Sequence, residues 1–266
     1  MTTDSTAERR FLERRAPAYG GFSPALLRLE IRRRLRNRRT VIFALVLPVA
    51  FFLLLGLNVT YVHEKDGVGN VTAFVMISIA LYGAVLSTAS GGAVVSIERA
   101  TGWSRQLRVT PLSAAAYIAI KMLTALIIGG VSVLAVYVVA ALTHKPHMPL
   151  HVWIITALCV WIGSLLFAAF GLFIGYLLPS ENVMQILGFV LTLCSFFGGL
   201  FIPINQFAPA LRTVAAFTPL FGLNELVHHP LVGGAVNWTW VVNLLAWLVI
   251  FGGGAVLLFG RDTARV

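Results

Sequence analysis

Residues 67–97 read Gly67-Val68-Gly69-Asn70-Val71-Thr72-Ala73-Phe74-Val75-Met76-Ile77-Ser78-Ile79-Ala80-Leu81-Tyr82-Gly83-Ala84-Val85-Leu86-Ser87-Thr88-Ala89-Ser90-Gly91-Gly92-Ala93-Val94-Val95-Ser96-Ile97, without one Asp, Glu, Lys or Arg. A hydrocarbon core of about 30 Å takes about 20 helical residues to cross, so this run holds a membrane span with room to spare. It lacks the alternation of a barrel strand, and a helix is the other way to pair every backbone polar group inside lipid. Working outward, the stretches Thr40–Val62, Met122–Thr143, His151–Ser180 and Asn182–Leu211 are equally free of these four residue types, and Thr213–Gly260 is Arg-free. The expected spans are Val41–Val59, Phe74–Ile97, Ala114–Leu142, Val152–Leu178, Val183–Phe201 and Trp238–Phe259.

Composition agrees. Of 266 residues, 58% are apolar before the 24 glycines are counted, and 11% are charged, under half the usual share of about 25%. Too little polar surface remains to cover a soluble globule. The net charge of +10 is concentrated, with Arg28, Arg32, Arg33, Arg34, Arg36, Arg38 and Arg39 crowding the stretch before the first span. It describes one tail, so nucleic acid is not an expected partner. Cys159 and Cys194 lie inside apolar runs, where a thiol behaves as a small hydrophobe. Arg9-Arg10-Phe11-Leu12 resembles a twin-Arg export signal, but the apolar run begins only near Val41, is long, and lacks a small-residue cleavage pattern. The bias of Arg over Lys fits a GC-rich bacterial genome.

The fold expected is all-α: a polytopic membrane protein with six transmembrane helices. Residues 1–22 form a mobile cytoplasmic tail and residues 23–266 a single six-span transmembrane domain. Placing the N-terminus inside puts the N-terminal Arg cluster, Arg99, Arg105, Arg108, Lys121, Arg261 and Arg265 on the cytoplasmic side, leaving Lys65, Lys145 and Arg212 outside. This satisfies the positive-inside rule, so both termini are expected in the cytoplasm. Before the first span, Ser23 can cap a helix and Pro24 suits its first position, while Phe22 and Leu27 have the spacing of a hydrophobic staple. Leu27, Ile31 and Leu35 form an apolar stripe flanked by Arg28, Arg32, Arg36 and Arg39, which predicts an amphipathic helix over Pro24–Arg39 lying on the inner membrane face. The simpler alternative is a positive-inside anchor with no other task.

Several chemistries lack their residues. No segment matches the phosphate-binding loop pattern, because the three lysines follow Glu64, Ile120 and His144. An ion-coupled carrier wants a carboxylate at depth, and Glu98, Glu181 and Glu225 are expected at span ends or in loops. Ser164 is the nearest serine to an intramembrane nucleophile, but all six histidines are expected in outside loops, leaving no base. Ser164 reads instead as a small residue that lets helices approach, beside Gly163 and Gly171. His144, His147 and His151, with His63, His228 and His229 on the same side, could attract a transition metal. No Cys or acid joins them in sequence, and no metal site is assigned.

The most informative loop is Ile97-Glu98-Arg99-Ala100-Thr101-Gly102-Trp103-Ser104-Arg105-Gln106-Leu107-Arg108-Val109-Thr110-Pro111-Leu112. Arg105 and Arg108 share one face of a short helix that Pro111 ends. Such a helix, presented to the cytosol, is something a soluble partner can grip; the alternative is a solvated positive-inside loop. Here the sequence resembles the permease subunits of type-2 ABC transporters, which include drug-resistance and polysaccharide exporters. The resemblance rests on Glu98-Arg99-x-x-Gly102 followed by Leu107-Arg108-x-Thr110-Pro111-Leu112, and on Gly198-Gly199-Leu200-Phe201-Ile202-Pro203 with Pro209 and Thr218-Pro219 beyond.

The resemblance implies a subunit that works as one of two, identical or not, with two separate ATP-binding cassette subunits carrying ATP and Mg; this chain would carry no cofactor. It implies that the N-terminal helix and Glu98, Arg99, Gly102, Arg105, Gln106, Leu107, Arg108 and Pro111 contact those subunits. It also implies short re-entrant or surface helices on the outer face between spans five and six, marked by Pro203, Pro209 and Pro219. The expected activity is ATP-driven export of a hydrophobic drug-like or lipid-like substrate from a bacterial cytoplasmic membrane, without catalysis by this chain. The competing expectation is a non-transporting membrane scaffold that recruits a soluble partner.

Overall fold

The computed structural model describes residues 21–57, 65–102, 112–202 and 204–264. The chain is nearly all helix. Helix α1 (Pro24–Leu35) starts where Ser23 accepts from the Leu26 amide at 3.4 Å, with Pro24 at its first position. It stops at Leu35, short of the expected Arg39. A broken apolar helix follows, made of α2 (Arg38–Val41), a π segment (Ile42–Val46), α3 (Leu47–Phe51) and a second π segment (Phe52–Gly56). Pro48 lies in α3, between the two π segments; a missing amide and a displaced hydrogen-bond ladder belong together.

One departure from all-α is a minimal antiparallel hairpin, β1 (Lys65–Asp66) and β2 (Gly69–Asn70), with Lys65 opposite Asn70 and Asp66 opposite Gly69. Gly67 turns it at φ 58°. Asn70 then caps the central helix α4 (Val71–Ala100), accepting from the Ala73 amide at 3.1 Å and the His147 amide at 2.9 Å while donating to the Lys145 carbonyl at 2.9 Å. Helix α5 (Ala114–Thr143) is capped by Ser113 and ends at His144, whose φ of 52° turns the chain. Helices α6 (Leu150–Gly163) and α7 (Leu165–Leu177) form one rod interrupted at Ser164, whose hydroxyl donates to the Trp161 carbonyl at 2.6 Å. Then come α8 (Val183–Phe197), a 3-10 turn (Ile204–Gln206), α9 (Pro209–Ala216), α10 (Phe221–Val232) and α11 (Trp238–Ala264).

Among the described residues, four helices are long and apolar enough to cross a membrane: Val71–Ala100, Ala115–Thr143, Leu150–Leu177 and Trp238–Gly260. The expected first and fifth spans appear as shorter apolar helices, Ile42–Gly56 and Val183–Phe197. The fifth ends four residues before the expected Phe201 because Gly198 and Gly199 follow, the latter at φ 81°.

Helix α4 is the axis of the bundle, buried against α5 and α7. The α4–α7 seam is made of small residues. A Cβ on Gly171 would collide with the Ala89 carbonyl, and one on Gly92 with the Ala168 carbonyl and the Leu172 amide, so the two backbones touch directly. Such close approach is how helices associate where lipid removes the hydrophobic drive. Ser164 is fully buried and faces Gly129, as a small contact residue should be.

Candidate functional site

At the Ala100 end of α4, five ionisable side chains from three helices meet. Helix α1 supplies Glu30, Arg33 and Arg34, spaced i, i+3, i+4 and so on one face; α4 supplies Glu98, and α5 supplies Lys121, with Tyr117 one turn before it. Lys121 Nζ donates to Glu98 Oε1 at 2.7 Å and lies 3.1 Å from Glu30 Oε1. The Tyr117 hydroxyl donates to Glu98 Oε2 at 2.7 Å. Arg33 reaches Glu98 Oε1 at 3.5 Å from the exposed side, and Arg34 donates to the Gly91 carbonyl at 2.8 Å. Glu30, Glu98 and Lys121 are 5%, 3% and 2% exposed, so these charges are held out of water by one another.

Burial pulls the Arg34 guanidinium below its ordinary pKa; Glu98, then Glu30, pull it back. Glu30 Oε2 is buried without a hydrogen-bond partner. A shared lysine holding two carboxylates couples three helices: losing it would leave like charges face to face in a dry site, at a cost of about 3–5 kcal/mol. Ionisable groups in such positions are expensive and mark functional machinery. Nothing in this cluster is a free nucleophile or base; what it can do is transmit displacement.

The Glu98-Arg99-x-x-Gly102 motif now has a physical reading. Glu98 points into the cluster, so its own side chain is not offered to a soluble partner. Arg99 turns the other way and donates to the Tyr176 and Gly175 carbonyls at 3.1 and 3.4 Å, capping the end of α7, with its guanidinium 5.5 Å from the Tyr176 ring centre. Ser96 adds a bond to the Leu178 carbonyl at 2.8 Å. Gly102, at φ 76°, follows the end of α4 in a backbone conformation that favours glycine. Arg105, Gln106, Leu107, Arg108 and Pro111 lie outside the described residues, as does Pro203.

On α1, Leu27 and Ile31 are half-buried, whereas Leu35, Arg32 and Arg36 are exposed; the residue most deeply inserted is Glu30. Pro209 opens α9, and Pro219 lies in the turn before α10. Among the histidines, His228 departs from the expected outside loop. It is buried on α10, its ring 4.1 Å from that of Phe74. The Asn224 carbonyl accepts from Nδ1 at 2.9 Å, which leaves Nε2 to accept from the Ser78 hydroxyl at 3.0 Å. The apolar run from Phe217 to Leu223 carries this histidine inward. No metal-ligand cluster occurs among the described residues.

Sequence reasoning overlooked Glu30, Arg33, Arg34, Tyr117 and Lys121. Two signals were available: Glu30 is the only acid among the arginines of α1, and Lys121 interrupts the apolar residues of α5.

The fold is a bundle of apolar helices with a lead-in helix held by charges to its two central helices, the build of a multi-pass membrane protein. The sequence profile described as ABC-2 type transporter matches residues 24–231, and the chain belongs to that family. It is similar to YvfS of Bacillus subtilis (strain 168), named as a proposed transport permease. Identity is 23% over 223 residues, covering 84% of this chain and 90% of that protein. The chain is thus an ABC-2 permease component, a transport part of a multi-pass membrane assembly rather than a catalytic subunit.

Proposed function

We propose that the chain is the permease of an ATP-driven exporter, moving a hydrophobic drug-like or lipid-like molecule out of the cytoplasm. Two such chains would work with two ATP-binding cassette subunits that hold ATP and Mg. The observation that carries this reading is the Glu30–Lys121–Glu98 cluster. It joins α1 to the ends of α4 and α5, the two helices between which the chain runs through residues 103–111, so force applied to α1 or to that connection would be delivered to the long spans.

In this reading the chain crosses the membrane six times with both termini in the cytoplasm. The helical stretch from Arg38 to Gly56 is about 28 Å long and Val183–Phe197 about 22 Å. The second becomes a full crossing with its Gly198–Ile202 extension, and α9 and α10 then sit at the outer face.

The test is co-expression with an ATP-binding cassette subunit, reading partner capture, ATP turnover and efflux together. The chain alone should hydrolyse no ATP. Arg105→Glu with Arg108→Glu should sever capture or coupling, since a desolvated interfacial charge contact is worth about 2–5 kcal/mol. Membrane insertion should survive. Normal efflux with a normally bound partner would remove the coupling role from the 103–111 segment, and absence of any partner would return the scaffold reading.

A further inference from the structure

Beside the charge cluster, a groove of about 580 Å³ opens between the broken apolar helix, α4, α5 and α8. Its volume lies in the range of small-molecule sites, about 300–1,000 Å³, and is modest for a two-tailed lipid. Its walls are apolar in a stronger sense than their residue names suggest. The hydroxyls of Ser87, Ser90, Thr124 and Thr192 all donate to carbonyls of their own helices, Gly83, Leu86, Ile120 and Gly188, at 2.6–2.8 Å. They have no proton left for a ligand.

The charged donor lies at one end, where Arg34 lines the groove, while the Tyr82 hydroxyl at the other end is near Thr192. Arg34 uses one N–H on the Gly91 carbonyl, and a guanidinium has five. Counting Arg34 itself, the cluster holds two carboxylates against three cations, and Lys121 engages both carboxylates. The groove therefore meets a surplus positive charge at this end. From Gly91 to Tyr82, α4 rises about 14 Å along the apolar wall. The ring of Tyr82 lines the groove there, but a ring face attracts a cation weakly compared with the repulsion from a fixed guanidinium.

We propose that this groove binds a single-tailed amphiphile with an anionic head, a carboxylate or phosphate held by Arg34, its tail lying along α4 toward Tyr82. As a statement about cargo, this rests on the permease reading. It separates the protein from a carrier of cationic drugs, whose charge this end of the groove would repel.

The experiment uses the purified chain in phosphatidylcholine nanodiscs with dansyl-labelled undecanoic acid as probe. Dodecyl phosphate should displace it at roughly one tenth the concentration required of dodecyltrimethylammonium. Arg34→Gln should erase that preference and Arg34→Lys retain most of it. Gly188→Leu should weaken both competitors alike, because a Cβ there meets nothing within 4 Å and the side chain fills the groove without straining α8. Equal displacement by cation and anion in the wild type, or an unchanged preference in Arg34→Gln, overturns the proposal. Loss of probe binding when phosphatidylglycerol replaces the host lipid overturns the single-tailed assignment. Binding needs neither ATP nor a partner. Efflux without head-group preference would sink the groove assignment alone, and head-group preference without partner-driven efflux would sink the permease reading.

Discussion

The two ends of α4 are anchored by opposite means. At the Val71 end, Asn70 and Ser78 bind neutral partners, a backbone carbonyl, two amides and the His228 ring. Each bond has one geometry, and breaking it leaves an unpaired polar atom. At the Ala100 end, Lys121 is shared by two acids, Glu98 by three donors, and Glu30 keeps one oxygen unpaired. Charges there can exchange partners without any becoming isolated. The lesson is a division of labour, a fixed pivot at one end and a deformable joint at the other.

The sharpest way to break this contrast is Lys121→Met. Leaving Glu30 and Glu98 buried together should cost about 3–5 kcal/mol, read as a large fall in the melting temperature of the detergent-solubilised protein. Adding Glu30→Gln and Glu98→Gln should recover most of it. A triple variant as unstable as the single one would mean that the cluster is not an electrostatic joint.

The pivot should respond to acid. Burial depresses the His228 pKa from the ordinary 6.5 to about 4, with hydrogen bonds to backbone opposing. Above pH 6.5 the ring is neutral folded or unfolded, so its contribution is complete. Between pH 6.5 and 4 only the unfolded chain takes up the proton, and roughly 3 kcal/mol is lost by the bottom of that window. Glu225, on the same helix, works the other way, since burial raises its carboxyl. Arg212 and His229 line the same cavity. Subtracting the pH–stability curve of His228→Gln from that of the wild type isolates the histidine; a flat difference would show that the pivot does not depend on a neutral ring.

Between the two ends, Gly171→Leu should force α7 away from α4 and cost about 1–3 kcal/mol. The shift should appear as faster proteolysis at both ends, and an effect confined to one end would show that α4 does not act as a single rod. The smallest effect is expected from Arg99→Ala, about 1 kcal/mol, because it removes hydrogen bonds to two carbonyls at the end of α7 and leaves no buried counter-charge behind. A loss as large as that of Lys121→Met would move the joint to Arg99.

What could be read in advance was whatever one helix records along its own length. The cap at Ser23 and Pro24, the bounds of α5, the start of α8 and the role of Ser164 all follow from local pattern. The joint did not, because Glu30 and Lys121 lie far apart in the chain and periodicity says nothing about which helices become neighbours. Counting Lys121, inside the expected third span, among the cytoplasmic cations satisfied the inside charge balance and hid its burial. His228 was hidden likewise, since a histidine pair and a proline looked like a loop while Ser78 waited on a distant span. The break at Pro48 shows the same limit: the proline was visible, but its close packing against Gly83 on a distant helix was not.

Those π turns make the first apolar helix adjustable in place. In a π turn each carbonyl bonds to the fifth residue onward rather than the fourth, so the segment stores surplus chain. Moving that surplus by one position turns only the residue it passes, by about 100°, and exchanges a few hydrogen bonds while the chain on either side keeps its phase. Phe43 and Leu47, which line the groove, stand on this stretch. A step of this kind would change which single side chain faces a bound molecule, one position at a time, while both ends of the helix stay where they are.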